Sequence, residues 1–143
     1  MSRVSFIQGG IAKDERGEIR FINEFDMSLA KRFYIIKNKE VGIIRGWRAH
    51  KIEQRWFYAL SGRFDFGLVK IDNWDSPDVN LPLERVSLNA SDLKVLHIPS
   101  GYGTAFCAKE ENSELIVFAD YPITHASCDD HTWPSDYFKN LQM

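Results

Sequence analysis

Apolar and polar residues alternate along most of this chain with the period of two that marks strands. The clearest case is 63–71, RFDFGLVKI. Residues 18–22 put Ile19 and Phe21 on one face, and 32–37 (RFYIIK) is rich in strand-forming side chains. Shorter runs at 4–7, 41–45, 55–60, 83–88, 95–98, 104–108 and 114–121 read as strands too. Turn chemistry separates them: Asp14-Glu15-Arg16-Gly17, Asn38-Lys39-Glu40, Ser61-Gly62 and Pro99-Ser100-Gly101. Residues 72–82 form a loop, and helical turns are expected only within 23–30 and 134–141. Many short strands with turn signals between them predict an all-β sandwich or barrel, a class that includes jelly rolls.

One stretch stands out from this pattern. Residues 42–62, GIIRGWRAHKIEQRWFYALSG, hold a dense run of Arg, Trp, His and Lys between apolar flanks. That order fits a strand pair carrying functional side chains on its inner face.

Composition narrows the partners. With 143 residues, one domain over 1–143 is expected, ending in a polar, aromatic tail at 123–143. The formal charge of -2 gives no basic excess, so nucleic acid is not expected. Apolar runs are strand-sized, so no membrane span is expected. The start MSRVSFIQGG lacks the build of a signal peptide, and Cys107 and Cys128 form no motif. A cytoplasmic protein with reduced thiols is the expectation, with Cys107 buried in an apolar run. Aromatic residues at 13% suit a β core or a pocket that stacks rings.

Spacing in the 42–62 stretch resembles the first signature segment of the cupins, G-x5-H-x-H-x3,4-E-x6-G. Gly42, Arg48, His50, Arg55 and Gly62 fall at its fixed positions. The second segment is echoed by Pro99, Gly101 and Thr104, with Leu93 where its first glycine belongs. The resemblance implies a cupin jelly-roll barrel, a double-stranded β-helix. Metal cupins bind an ion through the ligand positions of this frame, which here read Arg48, His50, Arg55 and Thr104. Guanidinium groups cannot ligate a cation. No metal and no other cofactor is therefore expected, and the pocket becomes one for an anion.

A second resemblance is closer. Arg45-Gly46-Trp47-Arg48-Ala49-His50-Lys51 is similar to the R-G-x-H-A-H-K run of the metal-free nucleotide-sugar cupins. These are the dTDP-4-dehydrorhamnose 3,5-epimerases and the dTDP-4-keto-6-deoxyglucose 3,4-ketoisomerases. Residues 98–106, IPSGYGTAF, resemble the family's I-P-x-G-x-x-H-G-F, and DERG at 14–17 resembles its D-x-R-G opening. The resemblance implies an epimerase or 3,4-ketoisomerase acting on a nucleotide-linked 4-keto-6-deoxy sugar by proton abstraction next to the carbonyl. It also implies a homodimer, with the N-terminal strand exchanged, and a setting in polysaccharide or antibiotic sugar synthesis. The family's first histidine is Arg48 here, and the histidine of its second segment is Thr104.

His50 is the candidate general base, or an inward polar residue that only binds ligand. Arg48 is a candidate for stabilising the oxyanion. Arg45 reads as a diphosphate clamp or a surface ion pair. Arg55, like Arg48, contacts ligand or pairs with Glu53 or Asp65. Asp120-Tyr121 resembles the strand that carries the family's acid, which makes Tyr121 the candidate acid, with Tyr58 and Tyr102 as other possibilities. Lys51, Tyr102, Thr104 and Trp47 are candidate substrate contacts. Arg16, beside Asp14, is one that would reach a neighbouring subunit's pocket. Trp47 and Trp56 stack a ring or simply pack. His97 is expected to be structural. A tail metal site from His125, Cys128, Asp129 and His131 matches no strong spacing. A cupin that binds a nucleotide sugar or another small anion without turnover is the alternative function.

Overall fold

The computed structural model describes residues 3–142, and these are almost wholly antiparallel β. The strands are β1 (Ser5–Gln8), β2 (Gly10–Asp14), β3 (Gly17–Phe21), β4 (Arg32–Ile36), β5 (Arg45–Ala49) and β6 (Arg55–Ser61). They continue as β7 (Arg63–Lys70), β8 (Glu84–Asn89), β9 (Lys94–Ile98), β10 (Tyr102–Ala108), β11 (Glu114–Ala119) and β12 (His131–Thr132). Two five-stranded sheets form, ordered β1-β9-β6-β11-β4 and β12-β5-β10-β7-β8, while β2 and β3 make a separate hairpin. Every pairing is antiparallel. From β4 onward, sequence neighbours alternate between the two sheets, as in a jelly roll, except that β7 and β8 pair with each other in the second.

The period of two decides the core. In β7, Phe64, Phe66 and Leu68 point between the sheets and meet Phe57, Leu96, Phe106 and Val117. Phe57, Phe66 and Phe106 pack at centroid distances of 5.2–6.1 Å. Truncating any one of these phenylalanines to Ala is expected to cost about 3–5 kcal/mol. The β6–β7 turn uses Gly62 at φ +70, and a Cβ there would run into Ser113.

The second sheet is covered on its outer face as well. Trp47, Ala49, Val69, Ile71 and Ala105 pack there against Phe138. Residues 123–142 supply this cover. β12 pairs with β5, Trp47 and Trp133 exchange backbone hydrogen bonds at 3.0 and 3.1 Å, and Lys139 N–H donates to the Val79 carbonyl.

Three details differ from the sequence expectation. The tail's helical turn is α1 (Ile123–Ala126), followed by a 3-10 turn at Ser127–Asp129, and not 134–141. Residues 134–141 form separate hydrogen-bonded turns, Tyr137 N–H to the Pro134 carbonyl and Leu141 N–H to the Phe138 carbonyl, while Tyr137 and Phe138 pack onto Trp133 and Trp47. The strand expected from residue 41 begins only at Arg45, since Gly42 N–H turns aside to the Ala108 carbonyl. Ile19 and Phe21 lie on the hairpin at 66% and 37% exposure and join no core.

Candidate functional site

The inner face of the jelly roll stops being apolar at one end. Where β5, β6, β4 and β10 meet there, the inward positions are Arg48, Arg55, Arg32 and Thr104, with His50 and Glu53 on the turn between β5 and β6. A cavity of about 870 Å³ opens among them, roofed by α1 and the segment from Ser127 to Trp133. Strand alternation explains the split in β5: Trp47 and Ala49 face the tail, while Arg48 faces the cavity. Gly46 lets β5 lie against β10, because a Cβ there would sit 2.5 Å from that of Ala105.

Four arginines and two carboxyls line this space. Arg32 Nη2 reaches Glu53 Oε1 at 2.8 Å, and Arg48 Nε reaches Asp130 Oδ1 at 3.2 Å. Arg45 and Arg55 have no carboxylate within ion-pair distance among the described residues. Arg55 is 5% exposed, donates from Nη2 to Thr104 Oγ1 at 3.1 Å, and lies over the Phe57 ring at 5.2 Å. A buried guanidinium without a counter-charge is a receptor for an anion.

His50 is held from behind. Its Nδ1 lies 2.7 Å from the Asp129 carbonyl. A carbonyl only accepts, so Nδ1 carries the proton and Nε2 is bare in the neutral ring. Burial, and next the Arg55 charge, push the ring down to about 4, so it is neutral at physiological pH. The Asp129 carboxylate accepts from the backbone N–H groups of Lys51, Ile52 and Glu53 at 2.8–3.1 Å. It therefore fixes the whole turn that carries His50. Glu53 is 2% exposed, and burial raises its acid above the ordinary carboxyl range, against the pull of Arg55 and Arg32.

The structure thus gathers Arg45, Arg48, His50, Arg55, Thr104 and Trp47 at one cavity. Trp47 contributes an edge only: it is 1% exposed, packs on Phe138 and donates to the Ser135 carbonyl. Other candidates lie outside the lining. Lys51 Nζ stands 5.5 Å from the Trp74 ring. Tyr102 packs beside the inter-sheet core, and Tyr58 lies in a third cluster with Phe25, Trp56 and Val95. Tyr121 contacts the His125 ring, and its carbonyl accepts from Arg32. Arg16 pairs with Asp14 at the exposed tip of the β2–β3 hairpin. Trp56 stacks on His97, whose Nε2 is 2.8 Å from Gln54 Oε1.

Sequence reading missed Arg32, Tyr34 and Asp130, and gave Glu53 and Asp129 other roles. Tyr34 is the tyrosine that lines the cavity, under the Arg32 guanidinium at 5.3 Å. Its phase in RFYIIK, with Arg32 and Ile36, was the available signal. The tail set disperses: Asp129 clamps the turn, Cys128 is exposed, and the His131 ring lies 4.8 Å from that of Trp74. Among the described residues no three His, Cys, Asp or Glu side chains converge as a metal site.

A neutral imidazole with one bare nitrogen, set among arginines in a sheltered cavity, can take a proton from carbon and stabilise the oxyanion that forms. A family model described as "FdtA: WxcM-like, C-terminal" matches residues 2–140. A mutant form of the 3,4-ketoisomerase QdtA from Thermoanaerobacterium thermosaccharolyticum, in complex with TDP-4-keto-6-deoxyglucose, superposes with a TM-score of 0.69 at 21% identity, covering 99% of each chain. The dTDP-4-dehydrorhamnose 3,5-epimerase from Bacillus anthracis, with TDP and PPi bound, gives 0.72 at 15% identity, over 98% of this chain and 86% of that one. The Sulfolobus tokodaii 3,5-epimerase gives 0.75 at 17% identity, over 98% and 80%. These likenesses establish the cupin-like fold. No curated protein matches the chain in sequence.

Proposed function

The chain belongs to the WxcM-like, C-terminal family, and on that premise we propose that it isomerises or epimerises a nucleotide-linked 4-keto-6-deoxy sugar. The observation that carries this reading is the His50 ring, neutral and with Nδ1 committed to the Asp129 carbonyl. His50 Nε2 takes the proton on the carbon next to the carbonyl. The C–H electron pair moves into an enediolate, whose oxygen is stabilised by the buried Arg55. In a ketoisomerase the proton is delivered to the neighbouring carbon while the hydroxyl proton passes to the former carbonyl oxygen; in an epimerase a proton is delivered to the opposite face of the same carbon. Tyr34, from its place in the lining, is the acid we favour over Tyr121. Arg45 and Arg48 hold the diphosphate. Binding without turnover is the second reading, and it is favoured by Arg48, paired to Asp130, where the family carries its first histidine.

We take the working unit to be a homodimer. Phe33 and Ile35 on edge strand β4 are 62% and 54% exposed, and the β2–β3 hairpin presents Ile19 and Phe21. An exposed apolar edge of this kind calls for cover. In such a dimer the hairpin that carries Arg16 is available to the partner's cavity. No helix among the described residues is long and apolar enough to cross a membrane.

The test is incubation with dTDP-4-keto-6-deoxyglucose in deuterated water, followed by NMR of the ring protons. Deuterium at C3 or C5 that disappears in His50→Asn is the expected result. Binding of dTDP without exchange would establish the second reading, and absence of both would refute the nucleotide-sugar ligand.

A further inference from the structure

Glu53 takes no part in the proton transfer set out above, yet it lines the same cavity at 2% exposure. Its Oε1 is fixed by Arg32 at 2.8 Å. Its Oε2 is buried, has no hydrogen-bond partner, and lies 3.5 Å from His50 Nε2. Buried polar atoms in folded proteins nearly always find a partner. Here the neighbouring atom is a ring nitrogen that also lacks a proton, because the ring's proton is on Nδ1 facing the Asp129 carbonyl. Two acceptors face each other, and one added proton completes both. At 3.5 Å the pair is too long for a tight hydrogen bond, so the Nε2 lone pair stays available to a third atom.

We propose that Glu53 is the proton store of His50: a proton taken by Nε2 passes to Glu53 Oε2 and returns by the same path. The catalytic side of this rests on the isomerase reading above. Proton count balances. The C–H bond breaks, its electron pair stays in the enediolate, and the proton resides on Nε2 and then on Oε2 as a neutral carboxylic acid. The ring is restored to its bare-Nε2 form; in a ketoisomerase the reversal delivers the proton to the neighbouring carbon, while in an epimerase Tyr34 protonates the opposite face and solvent resets both groups. Glu53 acts through His50 and is a positioning residue. Its surroundings suit storage: Arg32 pins one oxygen and leaves the other aimed at the ring. Arg55 and Arg32 favour the carboxylate, whereas burial and Asp129 favour the acid, and burial dominates. Facing His50 are Arg55, Asp129 and Asp130.

The experiment pairs NMR of the 15N-labelled His50 ring, followed through pH, with deuterium wash-in, on the wild type, Glu53→Gln and Glu53→Asp. In the wild type the Nε2 signal should move with the carboxyl titration of Glu53, and that step should vanish in Glu53→Gln. Wash-in should slow by about tenfold or more in Glu53→Gln and recover largely in Glu53→Asp, with dTDP affinity unchanged. A Glu53→Gln protein whose His50 titration matches the wild type overturns the proposal, whatever its activity. A wild type that shows the shared step but no wash-in upholds the proton pair and sinks the isomerase reading instead. Glu53→Asp alone decides the matter if Glu53→Gln does not fold, since its carboxyl must still register on the ring.

Discussion

Arg48 Nε and Asp130 Oδ1 meet at 3.2 Å at the cavity, with side chains 58% and 39% exposed. The cation offered to a ligand is therefore partly spent on a neighbour from the tail. Removing that neighbour should strengthen anion binding. Asp130→Asn is expected to bind dTDP a few times more tightly than the wild type, and Arg48→Ala about tenfold more weakly. Calorimetric titration at two salt concentrations checks both, and the gain in Asp130→Asn should shrink at high salt.

Asp129 is a structural clamp. Its carboxylate serves three backbone donors, Lys51, Ile52 and Glu53, while its own carbonyl serves His50. Asp129→Ala leaves those N–H groups without an acceptor, at a cost of about 3 kcal/mol or more. The thermal midpoint should fall by about 10 °C, with a smaller fall in Asp129→Asn, which keeps one acceptor oxygen.

His50 ties stability to pH. The folded ring takes up a proton only near 4, against the ordinary imidazole value of 6.5. Between those values the unfolded chain binds more protons, so stability contributed by the neutral ring is present above about pH 6.5 and is lost as pH falls toward 4. The whole difference is worth about 3 kcal/mol. Glu53, whose acid is raised, works in the opposite direction: its folded form takes up a proton at higher pH than the unfolded one, which offsets part of the loss. Melting curves from pH 7 to 4.5 should show the wild type losing midpoint relative to His50→Asn.

Leu93 holds φ +56, in the left-handed region, at the position where the cupin signature carries glycine. Its carbonyl accepts from Gly9 N–H at 2.7 Å, a backbone bond that any residue there retains. A leucine in this conformation costs about 1 kcal/mol relative to glycine. Leu93→Gly is expected to raise the thermal midpoint by about 3 °C.

The fold was legible because strands write themselves locally. Phe64, Phe66 and Leu68 announce β7 through their own spacing, and Gly62 announces the turn before it. The 42–62 stretch showed Arg45, Arg48, His50 and Arg55 together for the same reason: β5, β6 and their turn are one piece of chain. What sets the chemistry of that stretch was hidden. Arg32 comes from β4, an edge strand earlier in the chain, and Asp129 and Asp130 come from a tail with no periodic pattern. Nothing in the spacing of Glu53 marks it as buried, since that depends on α1 and the tail closing over it. Tyrosines posed the same difficulty: Tyr34 and Tyr121 both sit on apolar strands or at their ends, and only the three-dimensional phase separates them.

Placing the tail over β5 also has a consequence in time. Lys51 and Asp129 lie 78 residues apart in the chain. At about 5–20 residues per second, the carboxylate that organises the His50 turn leaves the ribosome roughly ten seconds after the turn itself. Throughout that interval the nascent chain carries its cavity arginines without Asp130 and its imidazole without a fixed orientation. A ligand meeting the unfinished protein finds charge but no shaped receptor, so binding competence arrives late in synthesis, when residues 129–133 dock.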